Sequence, residues 1–156
     1  MDSCRFVADV HLAKVAKYLR IVGIDTLYFR EISDDRLLEI AKEQNRIVLT
    51  RDRELANRSE RVYYVPKGTI LEVVQDVLHR FGCRCEPLTR CLVDNTPLQK
   101  VEKDEVIDRL PPKVRALFND FWRCPTCGRI YWHGSHYERM LSFAQQVCGE
   151  IRAREP

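Results

Sequence analysis

The chain has 156 residues, 45% of them hydrophobic, and carries 26 basic and 23 acidic side chains for a net charge of +3. This length allows one ordinary domain or two small ones, and the charge balance permits a nucleic-acid partner without arguing for one. No apolar run approaches the ~20 residues needed to cross a bilayer, and the N-terminus lacks a signal peptide's apolar stretch. We therefore expect a cytoplasmic protein without a membrane partner.

The first half of the chain alternates short apolar runs with helical patterns, which predicts strands joined by helices. We predict strands at residues 5–8, 26–29, 47–50 and 62–65, and helices that begin near residues 12, 34, 53 and 70. The last of these helices opens with a capping-box pattern, Thr69 with Glu72. Strand–helix alternation of this kind indicates an α/β fold with a mostly parallel sheet.

Carboxylates stand at the ends of the predicted strands. Asp9 follows the first strand, Asp52 lies just beyond the third, and Asp34 opens the second helix. Because the carboxyl ends of parallel strands meet at one edge of a sheet, we expect these three side chains there. Each of them taken singly could be a helix cap, and Asp52 is well placed to cap the helix after it. Together they would repel one another unless their pKa values rise or a divalent cation binds, and oxygen ligands favour Mg²⁺ or Mn²⁺.

The long apolar periodic patterns end near residues 83–88. We place a domain boundary there, between residues 1–84 and 85–156. Six of the seven cysteines lie from Cys83 onward, prolines punctuate the second part, and a short helix is predicted over residues 103–110. The loop from Cys91 to Cys124 shows no strong core of its own, so a bound metal should supply much of the folding free energy of that region.

A zinc-knuckle pattern, Cys124-Pro125-Thr126-Cys127-Gly128, lies in this second part. The expected partner pair is Cys91 with Asp94, because a carboxylate can replace a thiolate as a ligand. Four other residues stay open as the fourth ligand: Cys83, Cys85, His133 and His136. A redox role is disfavoured because a strand-like run at 130–132, and not a helix, follows the motif.

The seven cysteines are not expected to form a disulfide framework, since disulfides are rare in cytosolic proteins. Cys4 and Cys148 stand apart from the other cysteines and are expected to be small buried or half-buried side chains.

Four segments in this order resemble the Mut-seven C-terminal RNase family: Asp9 with Leu12–Asp25, Asp34 with Leu37–Ala41, Arg46–Asp52, and Trp122–His136. The resemblance covers about residues 5–142. It implies a PIN-like three-layer nuclease domain joined to a small zinc-ribbon domain, and a metal-dependent ribonuclease that acts on RNA. Asp9, Asp34 and Asp52 would then hold the catalytic Mg²⁺ or Mn²⁺. Cys91, Cys124 and Cys127 would hold a structural zinc, and Asp94 stands where the family has a cysteine.

Two other functions are consistent with parts of the sequence. Asp9 and Asp52 also fit the spacing of a phosphorelay receiver, but such a domain needs a second acidic residue beside the first and a lysine after a fifth strand. The chain could instead be a non-catalytic RNA- or protein-binding zinc-ribbon module with a vestigial PIN-like domain. In that case the aromatic residues Trp122, Tyr131 and Trp132 would carry the binding. The choice between Asp34 and Asp35 rests on the spacing to Leu37 and stays open.

Overall fold

Residues 4–149 are described by the computed structural model, and the first part of this range forms a four-stranded sheet with helices. The strands are β1 (Arg5–Ala8), β2 (Asp25–Tyr28), β3 (Ile47–Thr50) and β4 (Val62–Tyr64). The helices between and after them are α1 (Ala13–Ile21), α2 (Asp34–Glu43), α3 (Arg53–Ala56) and α4 (Ile70–Phe81).

All neighbouring strands of this sheet are parallel, and their order is β2-β1-β3-β4. β1 lies beside β3 with Phe6 opposite Ile47 and Ala8 opposite Leu49. The prediction that residues 5–8 and 47–50 form neighbouring parallel strands is therefore confirmed. Consequently the residues that follow β1 and β3 lie at the same edge of the sheet, which we call the carboxyl edge.

Successive strand residues point to opposite faces of the sheet, so both faces present apolar side chains, and helices cover both of them. Phe6, Ala8 and Leu49 belong to an apolar cluster with residues of α1 and α4. Val7 and Val48 belong to a second cluster, with residues of α2 and α3. This architecture is α/β with a parallel sheet, as the sequence predicts.

The helix ends follow the local signals. Ser33, and not Asp34, caps α2 by accepting a hydrogen bond from the Arg36 backbone N–H. The capping box at the start of α4 is formed as predicted. Gly23 ends α1 at a φ of +88°, and a Cβ there would collide with the Glu86 backbone oxygen. Glycine is thus required at that position both for its backbone angle and for space.

The second part of the chain forms a small antiparallel sheet in the order β5-β6-β7. Its strands are β5 (Gln99–Val101), β6 (Phe121–Arg123) and β7 (Ile130–Tyr131). Between β5 and β6 lie α5 (Lys103–Val106), a 3₁₀ turn (Ile107–Arg109) and α6 (Pro112–Leu117). A small core of its own is formed by four residues, Val101, Val106, Leu110 and Phe121. The expectation that the loop from Cys91 to Cys124 has no strong core stays a prediction. We call residues 89–134 the cysteine region.

The last helix, α7 (Ser135–Cys148), was not predicted. Its apolar residues recur at helical spacing, Tyr137, Met140, Leu141 and Ala144 among them, but polar residues dilute the pattern. Met140 and Ala144 pack into the same apolar cluster as α1 and α4. We therefore use the name α/β region for residues 4–88 together with α7. The division of the chain near residues 83–88 stays a prediction, and the first core draws on residues from both sides of it.

Four of the seven cysteines form two disulfides, Cys4–Cys83 and Cys85–Cys148, which corrects the expectation of free thiols. Cys83 and Cys85 follow α4 directly, and the packing brings the start of β1 and the end of α7 to that segment. Sequence spacing cannot reveal such long-range proximity. Cys83 and Cys85 are thus not candidates for a zinc ligand. The cytoplasmic location stays a prediction, and disulfides are rare in most cytosolic proteins. Within residues 4–149, no helix has the length and apolar character needed to span a membrane.

Candidate functional site

The Asp9 carboxylate is buried at the carboxyl edge, with 7% of the residue exposed. Its Oδ2 accepts a hydrogen bond from the Thr50 hydroxyl at 2.7 Å. Its Oδ1 accepts the His11 backbone N–H at 3.0 Å, and the His11 ring Nδ1 lies 3.2 Å away. The Asp9 backbone N–H continues the β1–β3 ladder by donating to the Leu49 carbonyl at 2.9 Å. The side chain is therefore held in one orientation by three neighbouring groups.

Asp52 is linked to Asp9 through Thr50. The Asp52 backbone N–H donates to Thr50 Oγ1 at 3.0 Å, and the same hydroxyl donates to Asp9. The Asp52 carboxylate caps α3, since its Oδ1 accepts the backbone N–H groups of Glu54 and Leu55 at 2.9 and 3.3 Å. The expected cap is thus present. It engages only Oδ1, and no residue of the described range donates to Oδ2.

Asp34 lies in the first turn of α2 and is exposed. Its neighbour Asp35 forms an ion pair with Arg58, while Ser33 provides the helix cap. Asp34 is therefore the less engaged of the two adjacent carboxylates, although it also interacts electrostatically with Arg58. The structure links Asp9 and Asp52 through one hydroxyl but does not bring Asp34 into that hydrogen-bonded group.

A second constellation lies in the cysteine region. The ligand atoms of Cys91, Asp94, Cys124 and Cys127 all lie within 4.8 Å of one another. Across residues 4–149 this is the one set of three or more potential ligands that is so close, and the three aspartates form no such set. The Cys91 and Cys127 sulfurs are 3.8 Å apart, and Cys124 Sγ lies 3.3 Å from both Asp94 oxygens. Two thiolates on a tetrahedral zinc with Zn–S near 2.3 Å would be separated by about 3.8 Å. This group could hold a metal.

The four ligands come from two turns of matching geometry. In one turn, the Asn95 N–H donates to the Cys91 carbonyl at 2.9 Å, and Asn95 has a φ of +72°. In the other, the Gly128 N–H donates to the Cys124 carbonyl at 2.8 Å, and Gly128 has a φ of +79°. Asp94 immediately precedes Asn95 as Cys127 precedes Gly128. Asp94 therefore occupies the position that the second cysteine holds in the other turn.

Burial and hydrogen bonds shift the pKa values of Cys91 and Asp94 in this group. Burial raises the pKa of the Cys91 thiol to about 11, although the Tyr131 hydroxyl, 3.2 Å away, opposes that rise. Burial also works against ionisation of Asp94, but hydrogen bonds from Thr96 and from the Cys124 and Cys127 thiols outweigh it and lower the Asp94 pKa. The Asp94 carboxylate is therefore negatively charged at neutral pH and could bind a cation.

The histidines that remained open as ligands are not in the cluster. The His133 ring lies between Trp122 and Tyr137, with centroid distances of 4.4 and 3.8 Å. His136 is exposed on α7. Asp94 is therefore the fourth member of the group.

The aromatic side chains Trp122, Tyr131 and Trp132 of the cysteine region are buried or half-buried. Trp122 is buried at 6% exposure, while Tyr131 and Trp132 are half-buried. The Tyr131 hydroxyl also accepts a hydrogen bond from the Leu92 backbone N–H at 3.3 Å. These positions indicate support of the cysteine turns more than an exposed platform for bases.

The first cysteine turn is fixed to β2 of the parallel sheet by two buried side chains. Asn95 accepts the Thr26 backbone N–H at 2.9 Å and donates to the Asp25 carboxylate at 2.7 Å. Arg20 donates to the Leu92 carbonyl at 3.0 Å and to the Thr26 carbonyl at 2.9 Å. The group of Cys91, Asp94, Cys124 and Cys127 is thereby connected to the edge strand of the α/β region.

Four residues of the two sites were not predicted: His11, Thr50, Tyr131 as a sulfur partner, and Asn95. The sequence did contain a signal for the role of Thr50. A hydroxyl at the end of a buried strand needs a hydrogen-bond partner, and Asp52 is two residues away. Asn95 also had such a signal, because asparagine often takes the left-handed conformation that follows a cysteine turn. Tyr131 and His11 carried no comparable local signal.

The parallel sheet has four strands within residues 4–149, so the fifth strand that a phosphorelay receiver needs is not found there. A comparison with protein families gives a match to the Mut7-C RNAse domain over residues 4–144. Comparisons with curated proteins and with solved structures give no match. The family match spans both regions and includes all seven predicted site residues. Because it covers nearly the whole chain, this protein belongs to the Mut7-C RNAse domain family.

Proposed function

We propose that the protein is a metal-dependent ribonuclease that hydrolyses phosphodiester bonds of RNA at the carboxyl edge of its parallel sheet. The observation that carries this proposal is the pair Asp9 and Asp52, which one hydroxyl, that of Thr50, connects at the end of β1 and β3. Membership of a family described as an RNase domain supports the same reaction. The PIN-like classification of the α/β region is part of the proposal.

The donor set suits a hard divalent cation. Asp9 Oδ2 accepts one hydrogen bond within the described structure, and a carboxylate oxygen can accept two. Asp52 Oδ2 accepts none from residues 4–149. Mg²⁺ is usually held by one or two carboxylates together with waters and substrate phosphates, so three converging carboxylates are not required. Asp9 and Asp52 would hold Mg²⁺ or Mn²⁺, and Asp34 is proposed as the third carboxylate of the site.

A divalent cation supplies, when bound, an activated water and charge stabilisation of the leaving oxygen. Asp9 contributes a buried carboxylate whose orientation is fixed by Thr50 and His11. Asp52 contributes an exposed oxygen at the same edge, on a residue that also fixes the start of α3. The Thr50 hydroxyl fixes the position of the Asp9 carboxylate relative to the Asp52 backbone.

We also propose a structural zinc at Cys91, Asp94, Cys124 and Cys127, in a region that functions as a zinc ribbon. The three thiols and one carboxylate match zinc's tetrahedral preference and its affinity for sulfur. Cys91, Cys124 and Cys127 are the cysteines that the disulfides leave free. Their side chains come from turns and not from a helix start, which favours a structural metal over redox chemistry.

A cleavage assay with single-stranded RNA tests the proposed reaction. We expect cleavage that requires Mn²⁺ or Mg²⁺, stops with EDTA and is lost in Asp52→Asn. Asparagine is as good a helix cap as aspartate, so this change should leave the fold intact. Asp34→Asn should lower the rate, whereas the matched control Asp35→Asn should not. No cleavage by the wild type would favour the non-catalytic RNA- or protein-binding module, and cleavage without a divalent cation would contradict the metal-dependent reaction.

A further inference from the structure

A cleft of about 220 Å³ lies between α1 and α7, away from both constellations described above. Its lining comprises Lys17, Tyr18, Ile21, His136, Arg139, Met140 and Phe143. Ile21 and Met140 are buried and form an apolar floor of the cleft. Lys17, His136 and Arg139 are exposed at its rim. No acidic side chain belongs to the lining. The cleft therefore combines an apolar interior with a rim that carries positive charge.

The two cations of this rim have no ion-pair partner among the described residues. Within residues 4–149, neither Lys17 nor Arg139 forms an ion pair, whereas Arg36, Arg58 and Lys100 each pair with a carboxylate. A rim of this kind attracts a polyanion, because its charge is free to contact phosphate.

An aromatic ring stands beside the same cations. Tyr18 is half-buried and packs edge-on against Phe143, with ring centroids 4.6 Å apart. The Nζ atoms of Lys14 and Lys17 each lie 6.0 Å from the Tyr18 ring centroid. Cations interleaved with aromatic rings are the combination that single-stranded nucleic acids use, phosphates on the cations and bases on the rings.

The position of the cleft relates it to the carboxyl edge. α1 begins four residues after Asp9, and Lys14 lies in its first turn. Lys17 is one turn further, about 5 Å along the helix axis from Lys14. A strand whose scissile phosphate lies at Asp9 could therefore follow α1 from Lys14 to the cleft.

We propose that the α1–α7 cleft binds a single-stranded RNA segment that flanks the cleaved bond, with Lys17 and Arg139 on phosphates and a base against Tyr18. The proposal rests on the proposed ribonuclease function and names the path of its substrate. Protein or membrane docking fits less well, because the large apolar side chains exposed in the described range, Val93 and Leu117, do not line this cleft.

Anisotropy of a labelled single-stranded oligoribonucleotide tests binding without cleavage when it is measured across a salt titration with the full chain, without added Mg²⁺ or Mn²⁺ and without a chelator that would remove zinc. Lys17→Ala/Arg139→Ala removes two exposed cations and should weaken binding about tenfold or more at low salt. The slope of log K against log salt should also become shallower by about 1.4, or about 0.7 for each lost phosphate contact. Tyr18→Leu should weaken binding by about fivefold or more with an unchanged slope, since stacking is not ionic.

Lys42→Ala/Lys113→Ala is the matched control, because both residues are exposed and form no ion pair within residues 4–149. It should leave affinity and slope near those of the wild type. The proposal is overturned if the cleft variant binds like the wild type, or if the control loses as much affinity. The variants at exposed positions decide this regardless of how Tyr18→Leu folds.

Cleavage assays on the same variants separate this inference from the proposed function. If Asp9→Asn abolishes cleavage while the cleft variant binds and cleaves like the wild type, the active site stands and the cleft is not its substrate path. If neither the wild type nor any variant cleaves RNA but RNA binding depends on Lys17 and Arg139, the cleft stands and the ribonuclease proposal is wrong.

Discussion

The α/β region and the cysteine region are held together by different means. Two apolar clusters flank the parallel sheet of the α/β region, and two disulfides bind its ends to the segment after α4. The cysteine region has one cluster of four buried residues, and its turns meet at three thiols and a carboxylate. Apolar burial and the two disulfides thus hold the first region, whereas we expect the second to depend also on a metal at its three thiols and one carboxylate.

Removal of the metal ligands should separate the two regions most strongly. Cys124→Ala takes away a fully buried ligand, and structural zinc contributes on the order of 10 kcal/mol to small metal-dependent folds. We expect the cysteine turns and β6–β7 to lose protection in hydrogen exchange, while β1 and β3 keep theirs. The small cluster around Phe121 should preserve part of the region.

Metal analysis of the same variant gives the control, since zinc should fall from about one equivalent to none. Unchanged exchange in the cysteine turns of a zinc-free variant would contradict the metal dependence of this region.

Reduction of the disulfides should affect the α/β region instead. Each closes a long loop, with sequence separations of 79 and 63 residues, and a disulfide is typically worth about 2–4 kcal/mol. We expect Cys85→Ser/Cys148→Ser to lower the free energy of unfolding by that amount and to increase exchange in α7. Zinc content should stay unchanged, because these cysteines are not ligands. An equal loss of stability in the cysteine region alone would contradict the assignment.

Thr50 tests the carboxyl edge without removing a carboxylate. Thr50→Val keeps the shape but removes the hydroxyl that donates to the buried Asp9 carboxylate and accepts the Asp52 N–H, and a buried polar group left unpaired costs about 1–3 kcal/mol. We expect a loss of that size in the free energy of unfolding and slower RNA cleavage, because the link between Asp9 and Asp52 is gone. Thr50→Ser is the matched control, and it should retain most of the activity. Equal rates for both variants would show that the link has no role.

Asp94 tests the metal preference of the cysteine region. Asp94→Cys should tighten zinc binding, because a fourth thiolate suits zinc better than a carboxylate. Asp94→Ala removes a ligand and should weaken binding by more than the roughly tenfold that loss of an outer-shell partner costs. Competition with a coloured zinc chelator measures both. Unchanged affinity in Asp94→Ala would mean that another group completes the site.

The smallest expected effect concerns the contact between the two regions. Burial raises the pKa of Asp25, but hydrogen bonds from Arg46 and Asn95 outweigh this and lower it below the ordinary 3.8. A carboxylate with a depressed pKa in the folded state stabilises fully above its unfolded pKa and loses that contribution as the pH falls through the folded pKa. We expect stability to fall below about pH 4, measured by urea unfolding across pH, and the fall to be smaller in Asp25→Asn. An identical pH profile for the variant would contradict this.

Much of the α/β region could be predicted because each element carries its own local signal. β3 matches its predicted bounds, and Thr69 and Glu72 set the start of α4 as expected. The positions of Asp9 and Asp52 at one edge followed from the parallel order alone. Hydrophobic periodicity and caps are local, so one sequence suffices to find them.

The parts that could not be predicted depend on contacts between distant residues. The pairing of Cys4 with Cys83 spans 79 residues, and no spacing rule identifies it. The apolar periodicity of α7 is a weak signal because the apolar face covers only part of the helix. The surfaces of α1 and α4 that it packs against are far away in sequence. The buried contacts of Arg20 and Asn95 likewise arise only after the two regions meet.

The central claim is that the carboxylates of the carboxyl edge, and not the cysteine cluster, carry the chemistry. The most direct test is the Mn²⁺-dependent rate of single-stranded RNA cleavage by Asp9→Asn. The Thr50 hydroxyl can turn to accept from the new amide, so the variant should fold and retain its zinc. We predict a rate lowered on the order of 10²–10³-fold, as expected when several kcal/mol of metal-dependent stabilisation are lost. Wild-type cleavage with the same Mn²⁺ dependence would contradict the claim.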